Sequence, residues 1–259
     1  MEGYLSTLFN LDGKIAALTG AGGHLIGEIS RGLAKAGVKV AILDSRIEKA
    51  ETVAAEIRDF GGEALPLCVD VRSKDDYQAA LRAILDRWGD LDIAVNGAGI
   101  NAPTPFLDIS VEEWDEVLAT QLTGTMLGCQ VFGGHMVGRK RGAIMNISSA
   151  SAGPPLSKAF TYSVAKAGIL NLTQNLAREW APVNVRVNAL RPGFFPTEWN
   201  RKNFITPERE AAILGHTPMN RYGEVGELVG ASLWMLSDAA SFVTGAEIAV
   251  DGGFSAMTI

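Results

Sequence analysis

The chain has 259 residues, which is enough for one α/β domain with a sizeable hydrophobic core. Its 47% hydrophobic and 20% charged residues are ordinary for a globular protein. The formal net charge of -6 argues against nucleic acid or an anionic membrane surface as the main partner.

The sequence shows no pattern of a targeting or membrane-spanning segment. Residues 1–10 lack a basic region followed by an apolar run, and no apolar run is long enough to cross a bilayer. We therefore expect a cytoplasmic protein without a membrane partner. Cys68 and Cys129 lie in apolar segments without metal-ligand spacing, so we expect two buried, reduced thiols and no metal site.

Short apolar segments alternate with longer amphipathic segments along the whole chain. This alternation predicts βαβ units and a doubly wound parallel sheet of the Rossmann type, with helices on both faces. No linker, repeat or charge block interrupts it, which indicates a single domain over residues 1–259. Strands are predicted at 15–18, 38–43, 64–69, 91–95, 142–147, 184–190 and 247–250. Helices are predicted at 28–35, 48–60, 74–88, 112–137 and 224–237, with another helix around Tyr162.

The region after residue 192 departs from this regular alternation. Residues 192–218 are polar and contain several prolines, a composition typical of a substrate loop or lid. We therefore predict a substrate lid over about 194–222. The long helix at 112–137 contains Gly124, Gly128, Gly133 and Gly134, which are predicted weak points.

Three predicted strands end in residues that suit a dinucleotide. In a doubly wound sheet, ligands bind beyond the carboxyl ends of the strands. The first strand is followed by the glycine-rich segment 19–23, where the backbone can approach a pyrophosphate at a helix N-terminus. Asp44 ends the second strand and can accept hydrogen bonds from both ribose hydroxyls of an adenosine. The segment 96–99, Asn-Gly-Ala-Gly, ends the fourth strand and again permits close backbone approach.

Tyr162 and Lys166 are the candidate catalytic pair. Residues four apart share one face of a helix, and a nearby cation favours the phenolate and lowers the pKa of tyrosine. Tyr162 is therefore a candidate acid/base near neutral pH, and Ser149 could bind a substrate oxygen beside it. Taken alone, Tyr-x-x-x-Lys is also common on helix surfaces, so the pair needs support from the rest of the chain.

Taken together and in this order, these motifs resemble those of the short-chain dehydrogenases/reductases, from about residue 11 to 254. The resemblance implies one Rossmann-type domain that binds a nicotinamide cofactor and moves a hydride to or from a carbonyl carbon. It implies that Tyr162 is the acid/base, that Lys166 holds ribose hydroxyls and lowers the pKa of Tyr162, and that Ser149 orients the substrate. It also implies a homotetramer built through 112–137 and 161–180.

The resemblance assigns further residues to the site. Asp70 matches an adenine-contacting aspartate, Thr197 matches a residue that holds the carboxamide, and Gln121 falls at an asparagine that helps to hold a proton-relay water. The implied cofactor-binding residues are Gly20, Gly22, Gly23, His24, Leu25, Ile26, Asp44, Asp70, Val71, Asn96, Gly97, Ala98, Tyr162, Lys166, Pro192, Gly193, Phe195 and Thr197.

The chain departs from the family pattern at three places. The usual turn reads Thr-Gly-x-x-x-Gly-x-Gly, but its sixth and eighth positions are His24 and Ile26 here. Gln121 replaces the asparagine, and Asn96-Gly97 replaces the commoner Asn-Asn. Among these departures, His24, Ile26 and Gln121 are the only support for an alternative in which the chain binds a cofactor without turnover.

The segment 194–222 resembles the branch that acts on sugar acids, such as mannonate/fructuronate oxidoreductases and gluconate dehydrogenases. Four cations fall in it and would favour a substrate carboxylate. Together with the resemblance, they predict a small, polyhydroxylated, anionic substrate. One alternative is a solvated lid whose cations pair with Glu198, Glu208 and Glu210 and do not bind substrate. The other is a reductase of 3-oxoacyl thioesters or other ketones, which would require an open apolar groove. The cations are Arg201, Lys202, Arg209 and Arg221; Asn101, Ser151, Trp199 and His216, but not His135, are further candidates to contact the substrate.

The cofactor is predicted to be NAD rather than NADP. Asp44 would accept hydrogen bonds from free ribose hydroxyls and repel a 2′-phosphate placed at the same point. Arg46, two residues later, is the group that could turn towards a phosphate.

Overall fold

A parallel sheet crosses the part of the chain that the structure, a computed structural model, describes: residues 2–197, 202 and 205–258. The strands are β1 (Ile15–Thr19), β2 (Lys39–Asp44), β3 (Ala64–Cys68), β4 (Ile93–Asn96), β5 (Gly142–Ile147), β6 (Val185–Pro192) and β7 (Glu247–Val250). They lie in the order β3-β2-β1-β4-β5-β6-β7, and all neighbours are parallel. The order reverses between β1 and β4, where a doubly wound sheet opens a crevice for ligands.

Helices cover both faces of this sheet. The helices of the described chain are α1 (Glu2–Leu8), α2 (His24–Lys35), α3 (Ile47–Asp59), α4 (Lys74–Trp88), α5 (residues 111–139), α6 (Phe160–Trp180), α7 (Pro207–Gly215) and α8 (Glu227–Leu236), of which α1 is exposed and packs in neither cluster of the core. A short 3₁₀ turn, Ala150–Ala152, follows β5.

Two hydrophobic clusters form the core, one on each face of the sheet. Successive strand residues point to opposite faces, so Leu18 of β1 joins one cluster and Ala17 joins the other. The first cluster packs the sheet against α2, α3 and α8, and the second packs it against α4, α5 and α6. Because both faces are covered, β1 is buried along its whole length.

The predicted fold class is confirmed, and every predicted strand lies within two residues of its observed bounds. Helix α2 begins at His24, four residues before the predicted start at residue 28. Helices α1 and α7 were not predicted. Helix α7 lies inside the predicted substrate lid and begins with a proline after Thr206, whose hydroxyl accepts from the Arg209 N–H.

Helix α5 does not break at its glycines. Its backbone stays helical from residue 111 to 139 and widens into π-helical turns at Ala119–Thr123 and Cys129–Gly133. Gly128 is needed for packing, because a Cβ there would lie 2.3 Å from Asn96 Oδ1. The glycine therefore lets α5 approach the end of β4.

The two cysteines differ in environment. Both are free thiols, and burial of Cys129 raises its pKa to about 12. The expectation that Cys68 is buried is wrong: it is exposed, because it ends β3 at the edge of the sheet.

Within the described ranges, no helix is long and apolar enough to cross a membrane.

Candidate active site

Two clefts open at the carboxyl ends of the strands. The first, which we call the glycine-rich cleft, has a volume of about 550 Å³ and lies beyond β1 to β4. It collects most of the residues expected to bind a cofactor. Those that line it are Gly20, Gly23, His24, Leu25, Ile26, Asp44, Asp70, Val71, Gly97 and Ala98.

The turn after β1 is packed too closely for side chains at Gly20 and Gly22. Gly20 has a positive φ of 69°, and a Cβ added to it would lie 2.7 Å from the Ala98 Cα. A Cβ at Gly22 would lie 2.6 Å from the Lys49 Cβ. The N-terminus of α2 faces the cleft and has no hydrogen-bonded cap from Gly23, the residue that precedes it. Its N–H groups are therefore suited to an anion such as a pyrophosphate.

Asp44 forms the far wall of this cleft. Its side chain is 7% exposed, with Oδ2 accepting from the Gly22 N–H at 3.2 Å and Oδ1 from the Arg46 N–H at 3.0 Å. The Arg46 Nε lies 3.8 Å from Asp44 Oδ1. Arg46 is therefore attracted to the carboxylate while most of its side chain stays exposed.

Asp70 has a cationic partner that the sequence did not indicate. Arg72 binds it through Nη2 to Oδ2 at 2.6 Å and Nε to Oδ1 at 2.9 Å, and this hydrogen bonding lowers the pKa of Asp70. Arg72 also lines the cleft. An adenine contact by Asp70 stays a prediction.

Asn96 lies beneath the cleft rather than on its surface. It is 3% exposed, and its Nδ2 donates to Asn146 Oδ1 at 2.9 Å. The next two residues, Gly97 and Ala98, donate their N–H groups to Thr19 Oγ1 at 3.1 and 3.4 Å. Asn96 thus supports the turn, whereas the backbone at Gly97 and Ala98 forms the cleft wall.

These features fit a dinucleotide cofactor. The cleft offers glycines without room for a Cβ, a helix N-terminus and a buried carboxylate at the end of β2. Gly20, Gly23 and Asp44 would hold it. When bound, a nicotinamide cofactor supplies the group that accepts or donates a hydride. Across the described ranges, no group of three His, Cys, Asp or Glu side chains is arranged to hold a metal ion.

The second cleft, which we call the Tyr162 cleft, has a volume of about 470 Å³ and lies beyond β5 and β6. It brings Ser149, from the loop after β5, beside Tyr162 in the first turn of α6. The other lining residues are Asn101, Pro103, Ser151, Leu156, Ser157, Lys158, Ala159, Gly193, Phe194, Phe195, Pro196, Ile205, Arg209 and Ile213.

Ser149 is oriented by Ser151. Its Oγ accepts from the Ser151 N–H at 3.2 Å and from the Ser151 hydroxyl at 3.1 Å. A hydroxyl has two acceptor lone pairs and one hydrogen, so these bonds leave the hydrogen of Ser149 for another acceptor. Burial raises the pKa of Tyr162, and hydrogen bonding to Ser149 partly opposes this rise.

Lys166 lies below Tyr162 on the same face of α6. It is 3% exposed, and its Nζ donates to the Ile147 carbonyl oxygen at 2.8 Å. Burial lowers its pKa to about 7. The Nζ also lies 5.4 Å from the centre of the Tyr162 ring.

The expectation that Lys166 lowers the pKa of Tyr162 is wrong for this structure. Burial raises the pKa of Tyr162, and the opposing effect comes from Ser149. Lys166 approaches the face of the ring, and burial weakens its own positive charge at neutral pH. Desolvation therefore outweighs the attraction that the four-residue spacing suggested.

Gln121 lies in the first π-helical turn of α5, outside the Tyr162 cleft. It is 1% exposed, and its Nε2 donates to the Ile100 carbonyl oxygen at 2.7 Å. The backbone carbonyl oxygen of Gln121 accepts from the Thr125 hydroxyl at 2.7 Å. Gln121 therefore ties α5 to the loop after β4, and its part in a proton relay stays a prediction.

The remaining predicted cofactor contacts follow β6. Gly193 and Phe195 line the Tyr162 cleft, whereas Pro192 is buried and Thr197 is half-buried. Phe195 also packs against Gly223, where a Cβ would lie 2.2 Å from the Phe195 Cε1. This contact places the segment after β6 against the end of the lid.

The described cations of the lid do not lie together in one cleft. Arg209 of α7 lines the Tyr162 cleft, but Arg221 lies outside it and binds Glu227 at 2.6 Å, so the expected placement of Arg221 over the site is wrong. Lys202 is exposed. His216 packs on Phe254 with ring centres 4.8 Å apart, whereas His135 binds Asp90 at 3.0 Å, away from the site. Glu198, Trp199 and Arg201 lie outside the described residues.

Lys158 is a cleft residue that sequence reasoning missed. It lines the Tyr162 cleft and adopts a left-handed backbone conformation with φ of 59°. It belongs to no recognisable motif, and its proximity to the site depends on how the loop between β5 and α6 folds.

The comparisons with known proteins agree with this geometry. The family model described as enoyl-(acyl carrier protein) reductase matches residues 26–255. Galactitol 2-dehydrogenase (L-tagatose-forming) of Cereibacter sphaeroides is 37% identical over 252 residues, covering 96% of this chain and 98% of the relative.

Two solved structures of dehydrogenases are also similar to this chain along nearly its whole length. Gluconate 5-dehydrogenase from Burkholderia cenocepacia, in complex with NADP and tartrate, is 33% identical with a TM-score of 0.93, covering 98% of this chain and 100% of the other. A 7α-hydroxysteroid dehydrogenase complexed with NADH and 7-oxo glycochenodeoxycholic acid is 33% identical with a TM-score of 0.91, covering 96% of each chain. The chain therefore belongs to the short-chain dehydrogenase/reductase family and is an NAD(P)-dependent oxidoreductase.

Proposed function

We propose that this enzyme interconverts a secondary alcohol and a ketone on a small polyhydroxylated substrate, a sugar acid or a polyol. The observation that carries this proposal is the Tyr162 cleft, where Ser149 and Tyr162 lie together above the buried Lys166. Three further polar side chains line the same cleft and could bind substrate hydroxyls: Asn101, Ser151 and Ser157.

The protein groups divide the proton chemistry between them. Tyr162 takes the proton from the substrate hydroxyl during oxidation and returns it to the carbonyl oxygen during reduction. Ser149 donates a hydrogen bond to that same oxygen, since Ser151 already occupies its acceptor positions. Lys166, held by the Ile147 carbonyl, supports the position of Tyr162 from below.

We propose NAD as the preferred cofactor. Asp44 is buried at the end of β2, where its carboxylate would accept from ribose hydroxyls and repel a 2′-phosphate. Arg46 and Arg72 line the same cleft, but each lies near a carboxylate, of Asp44 and Asp70 respectively. Their charge is therefore partly balanced before any phosphate arrives.

A second candidate is a reductase of hydrophobic ketones or acyl thioesters. An additional cavity of about 380 Å³ adjoins the Tyr162 cleft, and the two share Leu156, Ser157, Phe194, Arg209 and Ile213. Its lining is mostly apolar and includes Pro154, Pro155 and Phe254. The 7-oxo glycochenodeoxycholic acid in the complex of one solved relative supports this second candidate, whereas the galactitol and gluconate enzymes favour a polar substrate.

We also propose a homotetramer. Apolar side chains remain exposed next to and along α5 and α6, the helices expected to form the subunit interface. Phe106 and Phe160 pack with ring centres 5.3 Å apart at this surface. Leu107, Val111 and Val164 extend this apolar surface, with exposed fractions of 93%, 69% and 49%.

The cytoplasmic location stays a prediction.

Turnover of a substrate panel tests the function. Four- to six-carbon aldonic acids, alditols, 3-oxoacyl thioesters and steroid ketones would be followed by cofactor absorbance with NAD(H) and NADP(H). We expect turnover of polyhydroxylated compounds, and Tyr162→Phe is the inactive control. Turnover of thioesters or steroids alone would favour the second candidate. Tight cofactor binding with no turnover on the panel would favour a catalytically impaired protein.

A further inference from the structure

We propose that Lys158 and Arg209 together form a subsite for a carboxylate of the substrate. This inference rests on the proposed function and narrows its substrate class to hydroxy acids. The acid group would bind these two side chains while the reacting carbon lies at Tyr162, within the same cleft.

The charge of the cleft carries the proposal. Its described lining includes two cations, Lys158 and Arg209, and no Asp or Glu. The whole chain, in contrast, has 29 acidic and 23 basic residues. A cleft whose described charged side chains are all positive attracts anionic ligands, even in a protein of net negative charge.

Within the described residues, Arg209 has no carboxylate partner in an ion pair. Its Nη1 donates to the Ser157 hydroxyl at 3.1 Å, and its Nη2 lies 3.5 Å from the Ser157 carbonyl oxygen. Both partners are neutral. A guanidinium has five N–H donors, so donors remain for two carboxylate oxygens.

Lys158 lies directly beside this contact. It follows Ser157 in the chain, so the residue that anchors Arg209 also brings the second cation to the same part of the cleft. Its left-handed conformation, φ of 59°, is uncommon for a residue other than glycine. Lys140 and Asn184 also adopt the left-handed conformation, but they do so at the ends of helices, where this conformation is common. Lys158 instead lies in the loop before α6. The loop thus accepts backbone strain at a residue that lines the site.

Matched variants and substrates test the subsite. Arg209→Gln and Lys158→Asn each remove a charge, and asparagine tolerates the left-handed backbone. Lys140→Asn is the control, because Lys140 is also left-handed and exposed but lies outside both clefts. For each variant, kcat/KM would be compared between an aldonic acid and the alditol of the same configuration, such as D-gluconate and D-glucitol.

We expect the wild-type enzyme to favour the acid, and this preference to weaken as salt rises. Each cleft variant should lower the acid-to-alditol ratio of kcat/KM by about ten- to a hundredfold, the loss expected for one charged hydrogen bond. Arg209→Lys should recover part of the ratio, and Lys140→Asn should leave it unchanged.

Equal losses for acid and alditol would overturn the subsite, as would a wild-type preference for the alditol. Neither result would affect the proposed oxidoreductase function. If no polyhydroxylated compound is turned over, the proposed function fails. The subsite is then decided by calorimetric binding of malonate, a carboxylate that cannot be oxidised at a hydroxyl. Malonate should bind the wild type and Lys140→Asn alike and both cleft variants more weakly; equal affinity in all four would overturn the proposal.

Discussion

The Ile26 side chain occupies the space that a side chain at Gly97 would need. A Cβ added to Gly97 would lie 2.5 Å from Ile26 Cδ1 and 2.6 Å from Ile26 Cγ1. Ile26 stands where the family pattern has glycine, and Gly97 stands where it commonly has asparagine. The two departures are therefore coupled, because the Ile26 side chain fits only where residue 97 has no side chain. This packing arrangement explains how the turn after β1 remains closed against the end of β4 without the usual glycine.

This arrangement predicts energetic coupling between the two residues. Gly97→Asn should lower the free energy of unfolding by about 1–3 kcal/mol, because Ile26 is 4% exposed and β-branched and has little room to move. Ile26→Ala should relieve part of that loss in the double variant. Urea denaturation of the four proteins measures the coupling, with Gly134→Ala as a control where an added Cβ meets open space. Additive effects would show that the two positions are independent.

Tyr162→Phe should reduce kcat by a factor of about 10²–10⁴, the usual contribution of general acid/base catalysis. The dissociation constant of the cofactor should hardly change, because only the hydroxyl is removed. Tyr77→Phe is a matched control: its buried hydroxyl donates to the Gly124 carbonyl at 2.9 Å, so its loss should affect stability by about 1 kcal/mol rather than kcat. A Tyr162→Phe enzyme with most of its activity would refute the assignment.

Ser151→Ala should move the pH dependence of alcohol oxidation to higher pH. In the free enzyme, loss of the Ser151 hydroxyl leaves Ser149 with a free acceptor position, and the Ser149 hydrogen is less strongly directed to Tyr162. Hydrogen bonding to Ser149 lowers the pKa of Tyr162, so weakening it raises that pKa. The pH dependence of kcat/KM, which reports the pKa values of the free enzyme, checks this for wild type, Ser151→Ala and Ser151→Thr, and the threonine variant should restore the profile. An unshifted profile in Ser151→Ala would remove Ser151 from this role.

Lys166 should make stability depend on pH in the absence of cofactor. Its pKa is lowered from 10.5 to about 7 in the folded protein, so between these values the unfolded chain binds more protons. The free energy of unfolding should therefore rise with pH in this window and fall towards pH 7, by about 1.4 kcal/mol per pH unit at most. The measurement is the difference between wild type and Lys166→Met in urea at several pH values. Parallel pH dependences would contradict the lowered pKa.

The wild-type enzyme should bind NAD more tightly than NADP. Asp44→Asn should reduce this preference by about tenfold or more, since it removes the charge that would repel a 2′-phosphate. Dissociation constants for both cofactors, followed by fluorescence of the reduced forms, decide the point. Arg46→Gln should leave the affinity for NAD nearly unchanged. Equal affinities of the wild type for the two cofactors would refute the preference.

The sequence alone determined the architecture and the centre of the site. Buried parallel strands require continuous apolar runs, so β1, β2 and β5 are visible from residue types. Tyr162 and Lys166 are four residues apart on one helix, and Asp44 ends a strand beside the glycine-rich turn. These relationships are local in the chain or follow from the common edge of a parallel sheet.

Only the tertiary structure decided properties that depend on distant neighbours. Cys68 is exposed because β3 lies at the sheet edge. Arg209 lines the Tyr162 cleft, whereas Arg221, close to it in sequence, lies outside that cleft and binds Glu227. Lys158 reaches the Tyr162 cleft through a left-handed loop that no spacing rule anticipates. The pKa of Tyr162 rises because burial in three dimensions removes water from the phenol, and residue order does not encode that desolvation directly.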